Sequence, residues 1–244
     1  MTRNVIDNAI LLSAMTGEDP TDSKTKDNPK GVKYWEDFSY ASLRTIRLGA
    51  NKQMMEDSIY NLTIEKLKSW GTTIIEFEPG QMKFEGFTTV LNADMKVDLP
   101  HYFSQHGGSS IPVKTTKDVM EYNLKDTTLY APYGQTNLEA VVGETISKED
   151  LQALIDRFEK DARKYFDTPM NEHNLDAILS INNWNAGHAA MAKYPCLTVP
   201  MGYKDSGEPI SLTFIAKTFQ EDKLLQMGYA FEKATKVRKQ PTGY

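Results

Sequence analysis

Along the chain the spacing of apolar residues switches between a helical and a strand period, and the switches predict an ordered set of elements. Residues 4 to 15 place Val5, Ala9 and Leu12, with Ile6 and Ile10, at helical spacing, and Gly17 follows where a helix would stop. The next stretch, "GEDPTDSKTKDNPKG", is polar, carries two prolines and two glycines, and reads as a surface loop or boundary. From Thr45, "TIRLGA" reads as a strand. Met55, Ile59, Leu62 and Leu67 then mark an amphipathic helix, and "TTIIEFE" reads as a second strand. A strand–helix–strand unit implies a crossover and a parallel pair in an α/β sheet. Another helix is predicted over 82–103, ended or kinked by Pro100.

The clearest helix covers 148–166, where Leu151, Leu154, Ile155, Phe158 and Ala162 line one face and charges the other. Ser147 with Asp150 three residues later resembles a capping box with the shorter carboxylate. Three short apolar runs follow, "DAILSI" at 176–181, "CLTVPM" and "ISLTFIA" at 210–216, with the turn chemistry of "GYKDSGEP" between the last two. Runs this continuous predict strands covered on both faces, and a final helix over about 220–237 supplies one cover.

Composition narrows the function classes. A chain of 244 residues with 40% hydrophobic and 25% charged residues can bury a sizeable core and is not disordered. A net charge of -5 provides no basic field for phosphates, which argues against a nucleic-acid partner. One cysteine allows no internal disulfide and no cysteine-rich zinc site, and fits a reducing compartment. The opening "MTRNVIDNAILLSAMTGEDP" is a poor secretory signal, and no stretch approaches the roughly 20 apolar residues of a bilayer span. A cytoplasmic location and no membrane partner are therefore expected.

Several residue groups are candidates for chemistry. Cys196, with His188 eight residues earlier, would make a thiol nucleophile if the imidazole lowered the thiol pKa; inside an apolar run, a packing role is favoured. "SQHGGSSIP" offers glycine N–H groups and the Ser109 and Ser110 hydroxyls, but lacks the strand-turn-helix context of a serine nucleophile and reads as a connecting loop. The histidines at 101, 106, 173 and 188 never take the i, i+4 spacing of zinc hydrolases, so no metal is expected. No GxGxxG or Walker loop occurs, so no nucleotide cofactor is expected. "SINNWNAGHAAMAKYP" lies between two predicted strands, where α/β proteins bind ligands, and Asn182, Asn183 and Trp184 are candidate pocket-lining, substrate-binding residues.

The run from "DAILSINNWNAGH" to "FEKATKVRKQP" closely resembles the C-terminal part of the amidase signature hydrolases. That family carries a "G-x-P-x-x-x-V-P-x-G" strand, a "G-x-P-x-G-x-x-F" strand and a terminal helix with "A-x-x-F-E-x-A-T". Pro195, Val199, Pro200, Gly202, Gly207, Pro209, Phe214, Phe231 and Glu232 fill most of those places, while Lys193-Tyr194 and Ser211 depart from the usual glycines. "MTRNVIDNAILLSAMTGEDPTD" is similar to the family's "P-M-T-R-x-V-x-D-A" helix and "G-x-D-P-x-D" loop, and "APYGQ" at 131–135 also recurs. The resemblance thus covers nearly the whole chain.

It implies an α/β/α sandwich around a mixed sheet, with residues 1–244 forming the C-terminal part of one amidase-like domain: an opening helix and loop over 1–22, and sheet and covering helices over 45–244. It implies hydrolysis of linear carboxamides by a serine, a second serine on a cis peptide bond and a neutral lysine, with no cofactor. In the family those three precede the "P-M-T-R" helix, so no catalytic residue is assigned within this chain and the chain alone is expected to be inactive. Ser109 follows that helix by about 100 residues, the wrong order for the signature loop. Either self-association or an N-terminal half supplied in cis or in trans is expected, with a small amide as the substrate of the complete enzyme. The rival expectations are a non-catalytic binding or scaffold module that keeps the pocket loop, and an independent thiol hydrolase using Cys196 and His188. "YPCLTVPMGY" is expected to be a central strand with Cys196 as packing.

Overall fold

The computed structural model describes residues 1–36 and 38–240. In chain order the regular elements are α1 (Val5–Met15), β1 (Arg47–Asn51), α2 (Ser58–Ser69), β2 (Thr73–Phe77), α3 (Phe87–His106), α4 (Thr116–Asn123), α5 (Thr127–Tyr130), α6 (Thr136–Gly143), α7 (Lys148–His173), β3 (Ala177–Ile181), α8 (Ala186–Ala192), β4 (Cys196–Tyr203), β5 (Pro209–Ile215) and α9 (Glu221–Thr235). They fall into two compact units, Met1–Met82 with Glu159–Tyr244, and Lys83–Phe158.

The first unit holds a five-stranded mixed sheet in the order β2-β1-β3-β5-β4. β1 runs parallel to both β2 and β3, as the strand–helix–strand pattern predicts, and β5 runs antiparallel to β3 and β4. Alternate side chains of the strands enter two separate cores, since successive residues of a strand point to opposite faces. On one face Leu48, Leu179, Ile181, Val199, Leu212 and Phe214 meet Tyr60, Ile64 and Leu67 of α2 and Leu224, Met227 and Phe231 of α9, with Val5 and Ala9 of α1 joining them. On the other face Phe77, Ile178 and Ile215 meet Ala162, Phe166 and Met170 of α7 and Ala189 and Ala192 of α8. This is the α/β/α sandwich expected. All five residues of β3 are buried because it lies between two strands and under helices on both sides.

Local chemistry fixes the element ends. The Asn4 side chain accepts from the Asp7 backbone N–H at 2.7 Å and starts α1; Asp57 accepts from the Tyr60 N–H at 2.9 Å and starts α2. In the β4–β5 turn Gly207 takes φ +85°, where a Cβ would be strained, and its N–H closes on the Lys204 carbonyl at 2.9 Å. Gly228 lets α9 approach β4, since a Cβ there would meet Leu197 Cδ2 at 2.4 Å.

The second unit is helical: α3 to α6 and the first turns of α7. The sequence predicts its first helix over 82–103, but α3 starts at Phe87 and continues through Pro100 to His106. Proline removes one helix N–H and does not end the helix here. The short helices α4 to α6 were not singled out in the sequence; α4 begins at a capping box between Thr115 and Asp118. At the start of α7 the predicted Ser147–Asp150 pair is present in altered form. The Asp150 N–H donates to Ser147 Oγ at 3.0 Å, and that hydroxyl donates to the Asp150 carboxylate at 2.7 Å.

One expectation is corrected. The strand of "YPCLTVPMGY" is an edge strand of this sheet, paired with β5 alone, and Cys196 is exposed. Its apolar composition resembles that of a central strand because one face packs on α9.

Candidate functional site

The loop after β3 begins with Asn182, which sits at φ +47°, a left-handed conformation that asparagine tolerates better than bulkier residues. Its groups are turned into the sheet. The Asn182 N–H donates to the Ser211 carbonyl at 2.9 Å, Asn182 Oδ1 accepts from the Ser211 N–H at 2.8 Å, and its carbonyl accepts from the Thr213 hydroxyl at 2.5 Å. The side chain thus extends the ladder to β5, holding the loop at the end of β3. Ser211, a departure from the family's glycine, takes part through its backbone.

Asn183 and Trp184 follow on the surface. Trp184 is 60% exposed, its backbone N–H closing a turn on the Ile181 carbonyl at 3.0 Å. Of the three residues predicted to line a pocket, these two present free surface at a strand C-terminal end, and Asn182 anchors the loop that carries them.

Beneath them lies a buried polar chain that the sequence pattern does not single out. Ser180 Oγ donates to Asn185 Oδ1 at 2.8 Å, and Asn185 Nδ2 donates to the Tyr165 hydroxyl oxygen at 3.2 Å. The Tyr165 ring in turn lies 4.6 Å from the His188 ring, tilted at 32° to it. Burial raises the Tyr165 pKa, which the Asn185 hydrogen bond partly opposes, and burial lowers that of His188. Both rings are therefore held neutral near pH 7. Asn185 stands at the N-cap position of α8 but makes no side-chain cap there, its amide being engaged with Ser180 and Tyr165.

Cys196 and His188 have different surroundings. Cys196 lines a groove of about 480 Å³ with Arg3, Asn8, Thr198, Pro200 and Glu232, whereas His188 packs on α7 through Tyr165. Although residue surface is exposed along the groove, the thiol is desolvated and its pKa is pushed up to about 11, the reverse of an activated nucleophile. Among the described residues no hydrogen bond joins Ser109 or Ser110 to a base, and no three His, Cys, Asp or Glu side chains converge to hold a metal. No helix among them is long and apolar enough to cross a membrane. The Glu232 carboxylate accepts from the Val5 N–H at 3.1 Å, so the acid of the "F-E" pair ties the start of α1 to α9.

No family model matches the chain. Over 98% of its length it is 28% identical to a probable amidase of Arabidopsis thaliana, of which it covers 48%. Over 99% it is 26% identical to a glutamyl-tRNA(Gln) amidotransferase subunit of Rhodospirillum rubrum, of which it covers 53%. Its structure superposes over 98% of its length on an amidase family protein from Bacillus anthracis, with a TM-score of 0.88, 30% identity and 48% of that chain covered. In sequence and in fold this chain is similar to amidases. The peptide amidase of Stenotrophomonas maltophilia matches equally well in shape, at TM-score 0.88 and 27% identity, with 53% of its chain covered. The chain spans about half the length of the curated relatives it matches. In the sheet that superposes on these amidases, the Asn182–Asn185 loop closes the end of β3.

Proposed function

We propose that this chain forms the C-terminal half of an amidase that cleaves C–N bonds of linear carboxamides. In this reading it supplies the sheet and the pocket loop, while the nucleophile and its base come from polypeptide outside these 244 residues. The observation that carries the reading is the superposition on two amidases over 98% of the chain at 27 and 30% identity. The arrangement of candidate nucleophiles supports it. Cys196 holds its proton, and Ser109 and Ser110 have no base hydrogen-bonded to them among the described residues.

Asn183 and Trp184 then act as substrate-binding groups, an amide to hydrogen-bond a carboxamide and an indole to cover apolar substituents. Asn182 acts behind them by positioning the loop. The complete reaction, by kinship, is attack of a serine on the amide carbonyl, departure of the amine with a relayed proton, and hydrolysis of the acyl-enzyme.

The test is hydrolysis of a panel of aryl and aliphatic amides by the purified chain, with Cys196→Ala and Ser109→Ala/Ser110→Ala alongside. Silence in every variant is the expected result. Turnover abolished in one of them would name a nucleophile within the chain and overturn the proposal. Saturable quenching of Trp184 fluorescence by an amide, absent in Trp184→Phe, is expected from the pocket role; no quenching at any concentration would remove Trp184 from the site.

A further inference from the structure

A cavity of about 230 Å³ lies in the first unit between the last turn of α1, the loop carrying Asn28 and Tyr34, and the start of α9. β5 runs antiparallel to β3 and leads into α9, so the cavity sits towards the N-terminal end of β3, away from the Asn182–Asn185 loop. Its volume is below the roughly 300–1,000 Å³ of pockets for drug-sized ligands, which sets a small molecule as its occupant.

The polar side chains that line it offer acceptors. The Thr16 hydroxyl gives its proton to the Leu12 carbonyl at 2.7 Å and meets the Tyr34 hydroxyl, so Tyr34 supplies the proton between them and keeps an oxygen lone pair. Burial and the nearby Glu221 raise the Tyr34 pKa, which keeps that proton in place near pH 7. Asn28 Nδ2 donates to the Gly17 carbonyl at 3.3 Å, and its Oδ1 is left to accept. Glu221 is half-buried, and its pKa is raised by burial and by Asp222 beside it. Among the described residues no basic side chain pairs with Glu221, while Lys30 and Lys33 of the neighbouring loop are engaged by Glu18 and Glu36. A carboxylate drawn partly out of water and left without a cation gains from one that enters.

The helix ends agree with the side chains. α1 stops here with no basic residue in its last turn, so the negative end of its dipole faces no cation of its own. The start of α9 would by itself favour an anion, but Glu221 and Asp222 already occupy its first turn. Leu12, Met15 and the rings of Tyr34 and Phe219 make the rest of the lining apolar, and aromatic faces attract cations. Phe219 stands at φ +62°, which a bulky residue adopts only where its surroundings enforce it, and its side chain is partly exposed. Such walls suit an organic cation, and no three metal-ligating side chains converge among the described residues.

We propose that this cavity binds a small primary alkylammonium ion. Glu221, the Tyr34 oxygen and Asn28 Oδ1 hold its ammonium head, and its carbon chain lies against Leu12, Met15 and Phe219. An ammonium has three donors and no acceptor, which matches a site that offers acceptors. The inference goes beyond amide hydrolysis and needs no nucleophile, so it stands or falls without turnover.

The experiment is an NMR titration of the nitrogen-labelled 244-residue chain at pH 7 with n-butylammonium chloride, against n-butanol and sodium butyrate as neutral and anionic counterparts. Saturable shifts at the Thr16, Tyr34 and Phe219 amides are expected with n-butylammonium, the other two binding at least about tenfold more weakly. Glu221→Gln should weaken n-butylammonium about tenfold or more, and Tyr34→Phe, which keeps the ring, about two- to fivefold. Phe219→Ala removes a partly exposed side chain and should weaken it severalfold with the fold intact, as circular dichroism checks.

No saturable shift at roughly 10 mM n-butylammonium, or shifts confined to other residues, overturns the proposal. So does n-butanol binding as tightly, which would make the cavity apolar only, or unchanged affinity in Glu221→Gln, which would place the cation elsewhere. Inorganic ammonium or sodium binding as well as n-butylammonium would make it a site for a bare cation and likewise overturn the organic ligand.

Discussion

Asn185 holds the candidate site more firmly than the residues that face solvent. Its amide satisfies Ser180 and Tyr165 at once in a buried setting, where an unpaired polar group costs more than a hydrogen bond gains. Asn185→Ala should therefore lower stability by about 1–3 kcal/mol in urea denaturation, by stranding two hydroxyls. Asn183→Ala, on exposed surface, should stay within about 0.5 kcal/mol. Equal effects would show that the buried chain holds nothing. At Cys196 the raised pKa sets a pH profile. Iodoacetamide should react slowly at pH 8 and faster through pH 10 towards about 11; a plateau by pH 9 would contradict the desolvated thiol. Because the folded state holds this proton more tightly than the unfolded chain, the thiol's contribution to stability is complete below the unfolded pKa. It declines as pH rises through the folded one. His188 acts on the acid side: its lowered pKa favours folding above the unfolded value and disfavours it as pH falls below. The sequence singled out Asn182, Asn183 and Trp184 because polar loop residues after a strand are where ligands bind. Which asparagine would serve the protein and which would be free was not legible, since Asn182 and Asn185 find their partners in β5 and α7, 29 and 20 residues away.

At the scale of elements, the period of apolar residues was sufficient wherever an element was long or fully covered. The β1–α2–β2 crossover, α7, β3 and α9 follow the pattern, because burial of one face or both writes itself into spacing. The pattern failed for α4 to α6, with four to eight residues each; side-chain caps from Thr115 and Asp126 start α4 and α5, while α6 has none. β4 was legible as a strand but not as an edge, since an uncharged run reads the same in either place. Close approach of α9 to β4 depends on Gly228, whose Cβ direction points at Leu197 and Val199. Gly228→Val should lower stability in urea denaturation by about 1–3 kcal/mol, as an overpacked core does. A neutral or stabilised variant would mean that α9 can shift at no cost.

At the scale of the whole molecule, the first unit rests on two apolar cores either side of one sheet, and the chain, with one cysteine, has no internal disulfide. Thermal unfolding should accordingly be indifferent to reductant, as a scan with and without a thiol would show; a shift would signal a disulfide between chains at Cys196, the one cysteine. The exposed apolar face of α1 belongs to this scale too. The sequence displays Ile6, Ile10 and Leu11 beside Val5 and Ala9 without separating those that are buried from those that are exposed.

The sequence by itself determined the chain order of the strands and of the longer helices, the direction of the first crossover and the motif set that ties the chain to amidases. Those depend on local period, turn chemistry and residue identity at fixed spacing. Only the tertiary structure decided that β4 lies at an edge, that Asn182 and Asn185 turn their amides onto β5 and the buried core while Asn183 and Trp184 face outward, and that Cys196 is a desolvated thiol beside an open groove. Each depends on which distant groups meet, and an amide or thiol takes its role from the partners and the water that the fold leaves around it.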